Sequence, residues 1–340
     1  MSYKIDGMNR GFLTLVDGTK RYRRGDHYER MAKGLINSIN LYGDNFPCAL
    51  ITDSDDTELL QMASKVIRPL EEYAGQNLQG TIHKLFLDKY TPFEETIFIE
   101  ADCLLYCHPQ QLWDLFTASK QDFVIQEQSL HKFIKGGSNF SITDLDRYLD
   151  KCGIESFPHT IGGLIYFKQS NSSNDIFDSV RDLYQRRDEF GLKQLSNQIS
   201  VADETLFSTA MVKHKQSLMQ SGSLLLQEEF RLMRGYRKLD VLDKDAPLIR
   251  KYPVPQTLVV HYSAKDKFSF IYLLELNKLK LHNKFSNKLI LLLASILASI
   301  PTLLVLKKRW AEFIIKMMLS RYKQQGIMGL IPNRLKNSKS

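Results

Sequence analysis

Cysteine is scarce in this chain, and none of it is paired in sequence. Cys48, Cys103, Cys107 and Cys152 show no CxxC spacing, which excludes a dithiol redox motif and the common zinc frameworks. No apolar leader precedes the first strand-like run, so the expected setting is reducing and cytosolic. Cys103, Cys107 and His108 fall in and just after an apolar run, where core packing accounts for them better than zinc does. Internal repeats and low-complexity segments are also missing, which excludes repeat and fibrous architectures.

An excess of one charge is likewise absent from most of the chain, although the total is +8. Residues 307–340 carry nine basic residues and the single acid Glu312. Setting these aside from the 46 basic and 38 acidic residues of the whole leaves 37 of each over 1–306. A neutral body argues against a phosphate-backbone face, so no nucleic-acid partner is expected. The basic tail points instead at an anionic membrane surface.

What is present is 43% apolar content over 340 residues, enough for one large α/β domain with an extension or for two domains. Strand-like runs alternate with helical patterns through the first two-thirds, which predicts a Rossmann-like mixed sheet, mostly parallel. Strands are expected at 12–16, 48–52, within 64–70, and at 96–99, 123–126, 161–167 and 258–261. Helices are expected at 27–41, 175–187 and 204–211. Between Glu127 and Thr160 the pattern gives way to Gly, Ser, Asn and charged residues, and reads as a long excursion beside the sheet edge.

Ligands of open α/β sheets lie outside the carboxyl ends of the strands. Ile97-Phe98-Ile99 runs into Glu100-Ala101-Asp102, and strand alternation would put Glu100 and Asp102 on one face. Such a pair can hold Mg²⁺ or Mn²⁺ against a diphosphate, or be two solvated loop acids. His261 follows the apolar run Leu258-Val259-Val260 and precedes Lys265 and Lys267, an imidazole accompanied by cations suited to phosphate oxygens.

His83-Lys84-Leu85 followed by Tyr90-Thr91-Pro92-Phe93-Glu94-Glu95 and the strand into Glu100-Ala101-Asp102 resembles a block of glycosyltransferase family 8 and the glycogenin-like enzymes, which have the GT-A fold. His261 through Lys267 resembles that family's HxxGxxK, with Ala264 in the glycine place. Ile161 through Phe167 is similar to its N-[SA]-G strand, and Ala202-Asp203-Glu204-Thr205-Leu206 to its D-Q helix start. The resemblance implies Asp102 and His261, with Glu100, as ligands of Mn²⁺ or Mg²⁺, and Lys267 at the diphosphate. It puts Lys84 near the sugar nucleotide, Leu15, Val16, Asp17 and Tyr22 near the base, and Gly163, Asp203 and Glu204 beside the transferred sugar. The departures are Glu100 for the first Asp, Ile161-Gly162 for Asn-Ser, and Glu204 for Gln. At the start of a helix, Asp203 and Glu204 also suit capping and dipole compensation.

From Leu289 to Leu306 no residue is charged, and Lys307-Lys308-Arg309-Trp310 closes the run. At about 1.5 Å per residue this is just short of a bilayer core of about 30 Å. Pro301 interrupts it, and Phe313 through Lys323 reads as a basic amphipathic helix. A re-entrant or monotopic anchor on the cytoplasmic face suits this pattern better than a full span, which would place the basic tail outside.

The expectation is therefore a GT-A catalytic domain over 1–276 and a membrane-associating helical tail over 277–340. The activity implied is metal-dependent transfer of a sugar from a nucleotide-sugar donor, UDP-linked, to a membrane-proximal acceptor such as a lipid-linked or cell-surface glycan. The alternatives are a membrane-bound scaffold with a decayed site, or a sugar-phosphate nucleotidyltransferase. The latter calls for a Gly-rich loop where this chain has only Asp17-Gly18-Thr19-Lys20.

Overall fold

A computed structural model describes residues 9–16, 26–41, 46–70, 82–194, 201–216, 226–228, 241–242, 258–262, 269–282, 284–303 and 307–308. The chain divides into two compact units, 1–264 and 265–340.

In the first unit, β1 (Arg10–Val16), β2 (Cys48–Thr52), β3 (Lys65–Ile67) and β4 (Glu95–Ile99) are parallel, in the spatial order β3-β2-β1-β4. β2 is buried at every position, as expected of a parallel strand covered on both faces. Between these strands run α1 (Asp26–Ile39) and α2 (Thr57–Met62). α1 turns Leu35, Ile36 and Ile39 toward a core shared with Phe12 and Trp113, and α2 is started by Asp56, whose carboxylate accepts from the Leu59 amide at 2.9 Å. A 3₁₀ turn at Ile82–Phe86 leads into α3 (Leu87–Tyr90). After β4 come β5 (Cys103–Leu105) and α4 (Pro109–Ala118), which opens on proline at its first position.

The sheet is completed by β6 (Phe123–Ile134), α5 (Leu145–Cys152) and β7 (Ser156–Lys168), with β7 antiparallel to both β4 and β6. The expected strand over 123–126 is thus a fragment of a longer one, and the expected excursion over 127–160 is a hairpin carrying a helix. Alternation was hidden there because the register shifts at three places along the β6–β7 pair, so no single period of two survives. α6 (Asn171–Gln185), α7 (Arg187–Phe190) and α8 (Asp203–Lys213) follow, then β8 (Leu226–Glu228) and β9 (Val259–His261). β5, β9 and β8 form a second, three-stranded sheet in that order. The mixed, mostly parallel α/β architecture expected from the sequence is present.

The second unit contains α9 (Phe270–Leu281) and a helical stretch at 287–303. α9 crosses the 276/277 boundary expected from sequence, because the apolar run that marks the tail begins later than the helix preceding it. Within 287–303, Ile290, Ala294 and Ala298 are buried while Leu291, Leu292, Ile296, Leu297, Ile300 and Leu303 are exposed. Among the described residues no helix is long and apolar enough to cross a membrane. The expected amphipathic helix from Phe313 to Lys323 lies outside the described residues.

The 3₁₀ turn is anchored from outside. Arg181 on α6 donates to both oxygens of buried Asp88, at 2.7 and 3.1 Å, and to the Leu85 carbonyl at 2.9 Å. Arg181→Met leaves Asp88 with the more exposed Lys89, 3.1 Å away, as its remaining ion-pair partner among the described residues and should lower stability by about 2 kcal/mol, measured by urea unfolding. A change within error would show that the pair does not hold this turn.

Candidate active site

β4 delivers the chain to the site and then stops at Ile99. Glu100, Ala101 and Asp102 form a turn closed by the Cys103 amide donating to the Glu100 carbonyl at 3.0 Å. The two carboxylates therefore converge because the backbone reverses, not because a strand alternates. The Glu100 amide donates to the Gly163 carbonyl at 3.0 Å, and the Tyr262 amide to the Asp102 carbonyl at 2.8 Å. Cys103 lies opposite His261 in the β5–β9 pairing, which carries the imidazole to the turn from more than 150 residues away in sequence.

His261 Nε2 lies 3.1 Å from Asp102 Oδ1 and 3.2 Å from Glu100 Oε2. Burial works against ionisation of Asp102, but the neighbouring His261, by charge and hydrogen bond, holds its pKa below the ordinary carboxylate value. Adjacent ligands around an octahedral ion with bonds of about 2.1 Å are about 3.0 Å apart. His261 Nε2 stands at such an edge from a carboxylate oxygen on either side, and with Asp102 it offers the mixed nitrogen and oxygen donors that suit a hard or borderline divalent cation. Cys103 Sγ lies close to Asp102 and His261, yet its thiol is pushed well up by burial and the neighbouring acids. It keeps its proton and is a poor ligand.

Behind this triad, the buried Lys84 ammonium is 2.5 Å from Glu100 Oε1 and 2.8 Å from Asp203 Oδ2. Burial opposes its charge, but Asp203, Glu100 and Glu204 more than offset this and hold its pKa well above the ordinary value. Asp203 is the first residue of α8 and is 3% exposed. The N-cap residue is Ala202, which makes no side-chain cap, and the Asp203 carboxylate is engaged in a buried ion pair with Lys84 instead. Burial, with Asp203 alongside, pushes Glu204 up to about 8. Glu100, Asp102 and Asp203 against Lys84 then leave two negative charges in excess when His261 is neutral, which one divalent cation would balance.

The structure brings together Lys84, Glu100, Asp102, Gly163, Asp203, Glu204 and His261. Leu15 is partly buried against the core and Val16 is buried at the carboxyl end of β1. Asp17, Tyr22 and Lys267 lie outside the described residues. Sequence reasoning passed over Gly162, which it met only as a departure from a motif. β7 carries extra residues between Ile161 and Ile165 opposite consecutive residues of β6, a bulge with Gly162 and Gly163 in it. A Cβ on Gly162 would lie 2.7 Å from Asp203 Oδ2 and 3.5 Å from Lys84 Nζ. A pair of glycines inside a strand-like run was the available signal.

Neither a family sequence profile nor a curated protein sequence matches the chain. Among solved structures it is similar to the galactosyltransferase LgtC in complex with donor and acceptor sugar analogs, at 14% identity over 75% of this chain and 87% of that one, with a TM-score of 0.44. It is also similar to the bifunctional glycosyltransferase WbbM, at 13% identity over 78% and 47% of the two chains, TM-score 0.48. A third is the glycosyltransferase GlyE of Streptococcus pneumoniae, at 13% identity over 89% and 64%, TM-score 0.44.

Gly162→Ala forces Asp203 away from Lys84 inside a packed site, and overpacking of this kind costs about 1–3 kcal/mol. Denaturant unfolding should register that loss, and a variant as stable as the parent would show that the site has room the geometry denies.

Proposed function

We propose that this chain is a GT-A-type glycosyltransferase that moves a sugar from a nucleotide-sugar donor, UDP-linked, to a glycan or lipid-linked acceptor near a membrane. The observation that carries this reading is the position of His261 Nε2, 3.1 Å from Asp102 Oδ1 and 3.2 Å from Glu100 Oε2, in a cluster that with neutral His261 holds three carboxylates against the one ammonium of Lys84. Mn²⁺ or Mg²⁺ held by these three residues would supply positive charge at the donor diphosphate as the leaving group departs.

In the reaction proposed, an acceptor hydroxyl oxygen bonds to the anomeric carbon of the donor sugar. The bond from that carbon to the diphosphate oxygen breaks, and its electron pair leaves with the nucleoside diphosphate. Lys84 works through Glu100 and Asp203, keeping both carboxylates fixed where charge develops, which is electrostatic preorganisation. Lys267 is left to meet the diphosphate, and Leu15, Val16, Asp17 and Tyr22 to line the base. Asp203 is tied to Lys84, which takes it out of service as a general base. This favours loss of the acceptor proton to the departing phosphate, the route of a retaining transferase, with Gly163 leaving backbone space beside the transferred sugar.

The second unit is proposed to rest on the cytoplasmic face of an anionic membrane. Supporting this are the exposed Leu292, Ile296, Ile300 and Leu303 on one helix and the nine basic residues against one acid in 307–340, a pairing of apolar face and cationic flank suited to an interfacial anchor.

Purified protein should hydrolyse a UDP-sugar slowly when Mn²⁺ is supplied, and Asp102→Ala should lower that turnover by about a hundredfold or more. Unchanged turnover would sink the site assignment, and calorimetry finding no binding of UDP with Mn²⁺ would favour a non-catalytic scaffold. In a flotation assay, the full chain should rise with phosphatidylserine-containing vesicles, and the double substitution Leu292→Asp, Ile296→Asp should release it. Retention by the doubly substituted chain would remove that helix from the anchor.

A further inference from the structure

A cavity of about 210 Å³ opens between the β6–β7 hairpin and the first turn of α8. One end is formed by Glu204, so the cavity adjoins the acidic cluster. One wall is aromatic: Phe133, backed by buried Phe157 at a ring-centroid distance of 4.9 Å, stands with Phe140, which is 67% exposed. His159 and Thr160 contribute the polar edge.

The hairpin is fastened to α8 by a row of hydroxyl pairs. Thr160 meets Ser208 at 2.7 Å, Ser141 meets Thr205 at 2.8 Å, and Tyr148 of α5 meets Thr209 at 2.8 Å. Three buried pairings along one helix fix the wall of the cavity relative to Glu204. The cavity is thus a built feature of the first unit rather than a gap left by a loose loop.

Resting on the transferase reading, we propose that this cavity is the acceptor subsite and takes one neutral pyranose ring, its C–H face against Phe133 and Phe140 and its hydroxyls toward His159 and Glu204. The volume is below the roughly 300 Å³ at which sites for drug-sized ligands begin, so it suits a single ring. A pyranose has an apolar face and a polar rim, the same distribution as these walls. No lysine or arginine lines the cavity among the described residues, which leaves a uronic or sialic carboxylate without a partner. Glu204 serves both halves of the site: it borders Asp203 on one side and the acceptor ring on the other.

The test uses the full chain with UDP and Mn²⁺, and saturation-transfer NMR with methyl β-glucopyranoside, methyl β-galactopyranoside and methyl β-glucuronide as probes. A neutral pyranoside should receive saturation, the glucuronide should not, and Phe140→Ala should weaken pyranoside binding by about tenfold. Phe140 is largely exposed, so its truncation spares the core; His159→Ala gives a second reading of the same wall. The subsite is overturned if neither neutral pyranoside binds the UDP-loaded protein, if the glucuronide binds as well, or if both variants bind as the parent does. Uptake of UDP, followed in the same samples by calorimetry, reports on the transferase reading separately.

Discussion

Everything at the site depends on one buried cation. Lys84 lies between Glu100 and Asp203, and taking an ammonium out of water costs several kcal/mol unless both partners are held in place. Each partner comes from a different part of the chain: the turn after β4 and the first residue of α8. The lysine itself is on a 3₁₀ turn fixed by the Arg181–Asp88 pair. Gly162 makes the meeting possible, because no side chain intrudes between the bulge in β7 and Asp203. A buried ammonium with two acids is therefore the point at which sheet, helix and turn must agree.

The same cation sets the chemistry on its outer side. By occupying one oxygen of Glu100, Lys84 leaves Oε2 facing His261, and the β5–β9 pairing completes the triad with Asp102. The cluster is not self-neutral. With His261 neutral, Lys84 offsets one of the three carboxylates Glu100, Asp102 and Asp203, leaving a charge that suits a divalent ion.

The hairpin over β6 and β7 shows a different physical device. α8 is buried around much of its circumference, and Thr205, Ser208 and Thr209 are among its buried residues. Its apolar stripe is consequently weak, and its hydroxyls are satisfied by Thr160, Ser141 and Tyr148. Hydrogen-bonded hydroxyls let a helix be buried on a face that looks solvated. That adds to the register shifts in making 127–160 resemble a loop: Ser141 and Thr160, polar in the sequence, are buried partners of α8 hydroxyls.

The sequence by itself determined the strand and helix alternation of the first unit, with β2 spanning the same residues as expected. It also identified Lys84, Glu100, Asp102, Asp203, Glu204 and His261 as candidates, through motif order. Those signals are local, because hydrophobic period and residue type at strand ends are written in neighbouring positions. Only the tertiary structure decided that a turn rather than strand alternation joins Glu100 to Asp102, that Asp203 is an ion-pair partner rather than a cap, and that Gly162 must lack a side chain. It alone disclosed the hairpin cavity beside Glu204. Apart from that local turn, each of these depends on residues roughly 40 to 160 positions apart meeting at hydrogen-bond distance, and contacts of that range leave no period in the chain to read.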